Sequence, residues 1–199
     1  MMGKTHIFIG TALALSVTAP TTPRGCLPVI LGGSLGAVLS DIDIRANQSH
    51  RDVSHTRFLT AGIMAVCLLL DSFFENSILS YIKMNDGAGF GALLFGVLVV
   101  VGSVQEHRGF THSLLALLLF DLAVGLLCPP ILPSFTVGFV SHLFLDSFNK
   151  KPVRLFFPLK TGICLKLFYA DGLADRLCLL CGILGTIAYL AHAALYTVL

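Results

Sequence analysis

Seven apolar segments, separated by prolines, charged residues and turn residues, dominate this 199-residue chain. They cover residues 7–19, 26–39, 58–70, 90–104, 114–128, 131–145 and 177–199. Charged residues make up only 12% of the sequence, about half of the share that a soluble domain usually carries. Lipid is the solvent that such a surface requires, so the pattern predicts an all-α, polytopic transmembrane helical bundle. A net charge of +2 gives no indication of a nucleic-acid partner.

The number of membrane segments follows from their lengths and from the prolines between them. Prolines between the first two segments, and between the fifth and sixth, favour tight reversals and therefore helical hairpins. Several segments have about 13 to 16 residues, fewer than the ~20 that cross a bilayer core. We therefore expect about five to seven membrane segments, some short or re-entrant, in a single domain over residues 1–199.

The first segment also fits a signal peptide cleaved after Ala19, but a retained helix is favoured because His6 gains partners below.

Positive charges indicate the orientation of the chain. If all seven segments cross the membrane, eleven Lys and Arg residues lie on one side, and Arg24 and Lys83 lie on the other. Positively charged loops stay in the cytoplasm, so the richer side is predicted to be cytoplasmic. The expected location is the inner (cytoplasmic) membrane, as a multi-pass protein.

Imidazoles and carboxylates gather at segment ends on this same side. They are His6, Asp41, Asp43, His107, His112, His142 and Asp146. Ionisable groups near a bilayer are costly and tend to be functional, so we expect these side chains to form one site facing the cytoplasm. Histidine and carboxylate ligands suit a divalent metal, with zinc favoured and manganese or iron as alternatives. Seven ligands exceed the four that one tetrahedral ion uses, which predicts two ions.

The remaining polar residues have simpler interpretations. Taken singly, a His or Asp at a helix end is usually an interfacial residue or a cap. Asp121 lies inside the fifth segment, where a proton relay or a helix-pairing contact is conceivable, and pairing is favoured. Asp71 ends the third segment and is expected to be solvated. The glycines at 32, 33 and 36 favour close helix packing.

A short internal repeat leaves one question open. Residues 50–55 and 107–112 both read His-Arg-x-x-(Ser/Thr)-His. A true duplication would add His50 and His55 to the ligands, whereas a chance match would leave them on the surface.

Three motifs carry a resemblance to a known family. Residues 41–43 (Asp-Ile-Asp), 107–113 (His-Arg-Gly-Phe-Thr-His-Ser) and 141–146 (Ser-His-Leu-Phe-Leu-Asp) resemble the motifs of the YdjM-like family of bacterial membrane-bound predicted metal-dependent hydrolases. His6 matches the histidine in the first helix of that family. Ser40 departs from the usual proline, Asp175 stands where an acidic residue, often Glu, is expected, and a long insertion separates the first two motifs.

The resemblance implies a membrane-bound metal-dependent hydrolase. A similar motif style in zinc phospholipase C implies phosphoester-containing or lipid-linked substrates. In this hypothesis His107, His112 and Arg108 act in catalysis, and Arg108, with Lys150 and Lys151, could hold a phosphate. The two lysines could equally serve only to orient the chain. The alternative is a non-enzymatic membrane protein that binds or transports divalent ions, which would place its ligands near the bilayer midplane.

Overall fold

The structure, a computed structural model, is all-helical over the residues that it describes, which are 1–43, 50–73 and 77–196. The side chains of residues 50–53, 77 and 196 lie outside that description. The helices are α1 (Gly3–Thr18), α2 (Pro23–Leu39), α3 (His50–Phe73), α4 (Ser77–Met84), α5 (Ala88–Val104), α6 (Leu114–Leu127), α7 (Leu132–Ser147) and α8 (Leu173–Tyr196). Short 3-10 turns cover Ser40–Asp43, Phe110–His112 and Pro129–Ile131.

Local sequence signals explain where several helices begin and end. The hydroxyl of Thr22 accepts a hydrogen bond from Gly25 N, and Pro23 occupies the first turn of α2, where its missing N–H costs nothing. Ser113 caps α6 in the same way by accepting from Ala116 N. The first helix ends because Ala19 adopts a left-handed conformation with a φ of 47° and Pro20 follows.

Helices α1, α2 and α7 pack against one another and form the centre of the bundle. The approach of α2 and α7 is so close that a Cβ at Gly36 would collide with the Phe135 carbonyl, and one at Gly138 with the Gly33 carbonyl. The glycines on α2 therefore have the packing role that the sequence predicts. Phe120 and Phe139 extend this centre into the apolar core between α6 and α7.

The other helices surround this centre and turn apolar side chains outward. Helix α8 packs on α1, α3 packs on α2, and α5 packs on α6. Leu118 on α6 and Leu184 on α8 are 66% and 56% exposed, which suits a surface that faces lipid. The prediction of an all-α, polytopic bundle is confirmed.

Fewer helices reach spanning length than the five to seven membrane segments expected. Among the described residues, three helical stretches are long and apolar enough to cross a bilayer, at Pro23–Asp43, Ser54–Phe73 and Leu173–Leu195. A fourth candidate is the pair α4 and α5, which meet at an angle of 107°. The difference arises because α1, α6 and α7 have only 16, 14 and 16 residues and rise about 21 to 24 Å, less than the ~30 Å hydrocarbon core.

One sequence prediction, that for Asp71 near the end of α3, is wrong. Asp71 was expected to be solvated, yet it is only 1% exposed. Its carboxylate accepts hydrogen bonds from the backbone nitrogens of Ile78 and Leu79, at 3.0 Å and 3.3 Å. Asp71 thus caps α4, where unpaired N–H groups need an acceptor, and this use of a carboxylate leaves no mark in the hydropathy pattern.

We predict that the α2–α7 contact limits stability. Gly138→Ala should lower the melting temperature of the detergent-purified protein, because overpacking costs about 1–3 kcal/mol. Gly96→Ala on α5 is the matched control, since a Cβ there meets nothing within 4 Å. The control should keep or slightly raise the melting temperature, because Ala favours a helix over Gly by ~1 kcal/mol. Equal melting temperatures for the two variants would contradict the close packing.

Candidate metal centre

The seven His and Asp residues predicted from the sequence lie together at one place in the bundle. The turn after α2 carries Asp41 and Asp43, and α7 carries His142 and Asp146 four residues apart. The first turn of α1 contributes His6, and the connection from α5 to α6 contributes His107 and His112. All of them except Asp41 and His107, which are partly exposed, are buried.

His112 Nε2 lies within 3.6 Å of three other potential ligand atoms. The Nε2 atoms of His112 and His142 lie 3.3 Å apart. Asp41 Oδ1 lies 3.5 Å from the first and 3.6 Å from the second, and Asp146 Oδ2 lies 3.6 Å from His112 Nε2. Ligands bound at 2.0–2.1 Å around a tetrahedral ion lie about 3.3 Å from one another. Each of these spacings fits two ligands of one cation.

His6 completes one side of this cluster. Its ring stacks on that of His142 with a centroid distance of 3.9 Å, and its Nε2 lies 3.3 Å from Asp146 Oδ1. The other ring nitrogen, Nδ1, is buried and has no hydrogen-bond partner within residues 1–43, 50–73 and 77–196. A buried, unpaired polar atom is costly, so an electron-deficient partner at this imidazole would relieve it.

Asp43 fixes the opposite side through three hydrogen bonds. Its Oδ1 lies 2.8 Å from His107 Nδ1, and its Oδ2 accepts from the backbone N–H of Arg108 at 3.0 Å and from Thr111 Oγ1 at 2.7 Å. An ionised carboxylate can only accept hydrogen bonds, so the proton of this bond lies on His107 Nδ1. Asp43 thereby orients the His107 ring, and Nε2 is the nitrogen of that ring that does not bond to Asp43.

Supporting contacts that sequence reasoning missed hold two of the ligands in place. The carbonyl of Ala37 lies 2.7 Å from His142 Nδ1, which assigns the proton to Nδ1 and leaves Nε2 free to bind a cation. Asn149 donates to Asp146 Oδ1 at 2.7 Å. The i, i+3 spacing of Asp146 and Asn149 could have suggested the second contact, whereas a backbone carbonyl leaves no signal in the sequence.

Arg108 contacts Asp146 and the segment that follows α7. It adopts a φ of 66°, a left-handed conformation that is uncommon for a residue with a side chain. Its Nη2 lies 2.8 Å from Asp146 Oδ2, and its Nη1 donates to the Lys151 carbonyl at 2.6 Å. Arg108 thus braces Asp146 against the segment that follows α7, while its buried Nε has no hydrogen-bond partner in the part of the chain that the structure describes.

The cluster has the chemistry of a cation site. Among the described residues, three overlapping groups could hold a metal ion: His6 with Asp41 and His142, Asp41 with His107 and His112, and His112 with His142 and Asp146. Burial lowers the pKa of His112, but the carboxylates of Asp146, Asp41 and Asp43 outweigh it, and the net pKa lies well above the usual value. The carboxylates therefore favour a positive charge at this position, which is also what a metal supplies.

A cavity of about 680 Å³ opens beside the cluster. Asp43, His107 and Arg108 line its inner wall. Lys151 and Arg154, from the segment after α7, also line the cavity. Arg154 forms an ion pair with the exposed Glu106 at 3.2 Å. The cavity gives a molecule with negative charge a route to the side of the cluster.

Other candidate residues lie elsewhere or serve the scaffold. His55 is exposed on α3 and belongs to none of the three groups, while the side chain of His50 lies outside the described residues. The two copies of the short repeat also differ in shape, since residues 50–55 begin an α-helix and 107–112 do not. Asp121 accepts a hydrogen bond from Thr136 at 2.9 Å and so joins α6 to α7, as the pairing interpretation predicts.

Asp175 bonds to backbone N–H groups, and Lys150 contacts an aromatic ring. Asp175 is buried and accepts hydrogen bonds from the backbone nitrogens of Met2 and Asp171, at 3.3 Å and 2.9 Å. It therefore fastens the chain just before α1, the helix that carries His6. The ammonium group of Lys150 lies 3.8 Å from the centre of the Tyr169 ring, in cation–π geometry.

Comparison with known proteins agrees with the motifs. The chain is 34% identical over 187 residues to the uncharacterized protein YvsG of Bacillus subtilis (strain 168), an alignment that covers 92% of this chain and 89% of that protein. No solved structure matches the chain. The family model of the YdjM inner membrane protein matches residues 1–199, so the chain belongs to the YdjM inner membrane protein family.

Proposed function

We propose that this protein is a membrane-bound metal-dependent hydrolase of phosphoester-containing or lipid-linked substrates. The observation that carries the proposal is the approach of His142 Nε2, Asp41 Oδ1 and Asp146 Oδ2 to within 3.6 Å of His112 Nε2, close to a basic cavity. That cavity of about 680 Å³ is lined by His107, one of the potential ligands, and by Asp43 and Arg108, which contact others.

The donor set suits zinc, with manganese or iron as alternatives, and its overlap suggests two ions. Asp41 belongs to two of the three groups and could be shared between neighbouring ions. His112, His142 and Asp146 would hold one ion, and Asp41 with His6 or His107 would hold the second. Bound divalent ions lower the pKa of water and stabilise negative charge that develops on a substrate.

When His6 rather than His107 binds the second ion, His107 is the residue best suited to move a proton. Asp43 accepts from its Nδ1, which fixes the tautomer and leaves Nε2 as the nitrogen that can exchange a proton with a substrate. The side chain is 23% exposed and lines the cavity, so a bound molecule can reach it. The paired Asp43 would stabilise the imidazolium that forms when the ring accepts a proton.

Recognition of a phosphate falls to Lys151 and Arg154 in this proposal. Both line the cavity, and an exposed ion pair such as that of Arg154 with Glu106 is weak enough to be exchanged for a ligand. Arg108 is a positioning residue, because its guanidinium is already engaged by Asp146 and by the Lys151 carbonyl.

The distribution of positive charge supports a cytoplasmic orientation for the site. The position of the ligands favours an enzyme over the alternative of a transporter. Asp41, Asp43 and Asp146 sit in the last turn of their helices or just beyond it, whereas transporters bind their ions near the bilayer midplane.

Metal content is the first test. Detergent-purified protein should carry zinc, manganese or iron in near-stoichiometric amount by elemental analysis. His112→Ala should lose most of this metal, because Nε2 of His112 lies within 3.6 Å of three other potential ligand atoms. His55→Ala, which removes an exposed imidazole on α3, should keep it. A metal-free wild type that is folded and active, or equal loss in both variants, would overturn the metal site.

Catalysis is tested separately from binding. Metal-loaded wild-type protein should hydrolyse a generic phosphodiester such as bis(p-nitrophenyl) phosphate, and His112→Ala should reduce kcat/KM by more than about tenfold, the effect that even a supporting residue can have. The His55→Ala variant should match the wild type. Stoichiometric metal with equal turnover in all three proteins would exclude hydrolysis at this site and leave metal binding or transport.

Removal of the hydrogen bond from Thr111 to Asp43 should weaken metal binding even though every potential ligand remains. Thr111→Val should weaken metal affinity about 10- to 100-fold, the usual effect of removing a group that orients a ligand. Thr11→Val is the matched control, because the buried Thr11 hydroxyl has no hydrogen-bond partner among the described residues. Competition with a chromogenic chelator measures both affinities. An unchanged affinity in Thr111→Val would show that Asp43 does not depend on this contact.

A further inference from the structure

The connection from α7 to α8 joins the helix that carries His142 and Asp146 to the start of a candidate membrane span. It covers residues 148–172, between the end of α7 at Ser147 and the beginning of α8 at Leu173, where a candidate span starts. Asp146, a residue of the cluster, is one position before the end of α7. The whole connection therefore starts and finishes at helix ends near the same surface of the bundle.

Backbone hydrogen bonds hold this connection in a defined shape. Val153 and Ile163 pair through two N–H···O bonds of 2.9 Å each. The chain then returns to the end of α7, where Leu165 N donates to the Ser147 carbonyl at 2.8 Å and Leu167 N to the Phe148 carbonyl at 2.9 Å. The side chains of the connection thus form a persistent surface.

That surface is unusually apolar for a segment without helix or long strand. Six large apolar or aromatic side chains are at least 40% exposed: Phe156, Leu159, Ile163, Leu165, Leu167 and Tyr169. Exposed apolar groups clustered in this way mark a contact with lipid or with a partner.

Its charges are predominantly positive. Residues 148–172 contain Lys150, Lys151, Arg154, Lys160 and Lys166 and a single acidic residue, Asp171, which pairs with Arg176 of α8 at 3.6 Å. Basic residues interspersed with large apolar ones are typical of segments that lie in the interface of a membrane with anionic lipids. A protein partner with a complementary surface would need an acidic, apolar face, whereas the bilayer is already present beside α8.

We propose that residues 148–172 form a lipid-binding surface, with the apolar side chains at the acyl boundary and the basic ones on the headgroups of anionic phospholipids. The surface is continuous with the lipid-facing part of the bundle. Leu173, 76% exposed, directly follows it, and the Leu155 carbonyl accepts from the backbone nitrogen of Leu114 at the start of α6. Lys151 and Arg154 belong both to this surface and to the cavity, so a basic path leads from the headgroups to the metal centre.

The chain contains no Trp, so a single introduced Trp reports the environment of its own position. Full-length Phe156→Trp and Leu167→Trp variants, in nanodiscs that contain phosphatidylglycerol, should show blue-shifted emission and quenching by brominated acyl chains. Leu184→Trp on α8 gives the lipid-facing reference, and free N-acetyltryptophanamide gives the aqueous limit. The variants should retain the elution profile and helical circular dichroism of the wild type, because both positions are exposed.

Emission at the aqueous limit without quenching, at both positions, would overturn the proposal and leave a soluble protein partner as the occupant of this surface. Quenching at both positions, comparable with Leu184→Trp or weaker in proportion to a shallower depth, supports it.

The binding of anionic headgroups by the basic residues is tested separately. Electron paramagnetic resonance with spin-labelled lipids should show that the wild type immobilises phosphatidylglycerol in preference to phosphatidylcholine. The double variant Lys160→Gln/Lys166→Gln should lose most of this preference, and Lys83→Gln, an exposed lysine at the end of α4, should retain it. An unchanged preference in the double variant would overturn the headgroup contact. Neither experiment requires bound metal or turnover, so its outcome is independent of the proposed hydrolase activity.

Discussion

Three carboxylates packed together at the edge of an apolar bundle need positive charge nearby, and this requirement organises the structure. Asp43 and Asp146 are each only 2% exposed, and Asp41 approaches two buried imidazoles. Removing ionised groups from water is costly unless cations and hydrogen-bond donors replace the water. Arg108 and the N-terminal ammonium group supply positive charge to Asp146, at 2.8 Å and 3.2 Å, and a divalent ion between the histidines would add more.

The helix packing brings these groups into contact. Gly36 and Gly138 let α2 and α7 approach at backbone distance, and as a result the Ala37 carbonyl reaches His142 Nδ1. The same contact leaves His142 Nε2 directed at His112, which arrives from the turn before α6. Stability and site geometry therefore share one cause, because a change in the distance between α2 and α7 would move both Asp41 and His142.

Much of this arrangement can be read from the sequence, because the bilayer imposes simple rules. Each apolar segment forms a helix, since a chain in lipid must satisfy its backbone groups internally. His142 and Asp146 share a helix face at their spacing of four, as helical periodicity requires.

The features that escaped prediction depend on three-dimensional contacts. The burial of Asp71 follows from its hydrogen bonds with the backbone nitrogens of Ile78 and Leu79 at the start of α4, and the bracing role of Arg108 follows from its left-handed backbone. The short lengths of α1 and α7 lowered the number of helices that reach spanning length.

The central claim is that a divalent ion lies between imidazoles and carboxylates contributed by distant parts of the chain. Anomalous diffraction from crystals of the full-length protein, recorded on both sides of the absorption edge of the metal found by elemental analysis, tests it directly. The account predicts a peak about 2.0–2.1 Å from the Nε2 atoms of His112 and His142. A peak at another place, or an experimental structure in which His6, Asp43, His112 and Asp146 lie on opposite sides of the membrane, would contradict it.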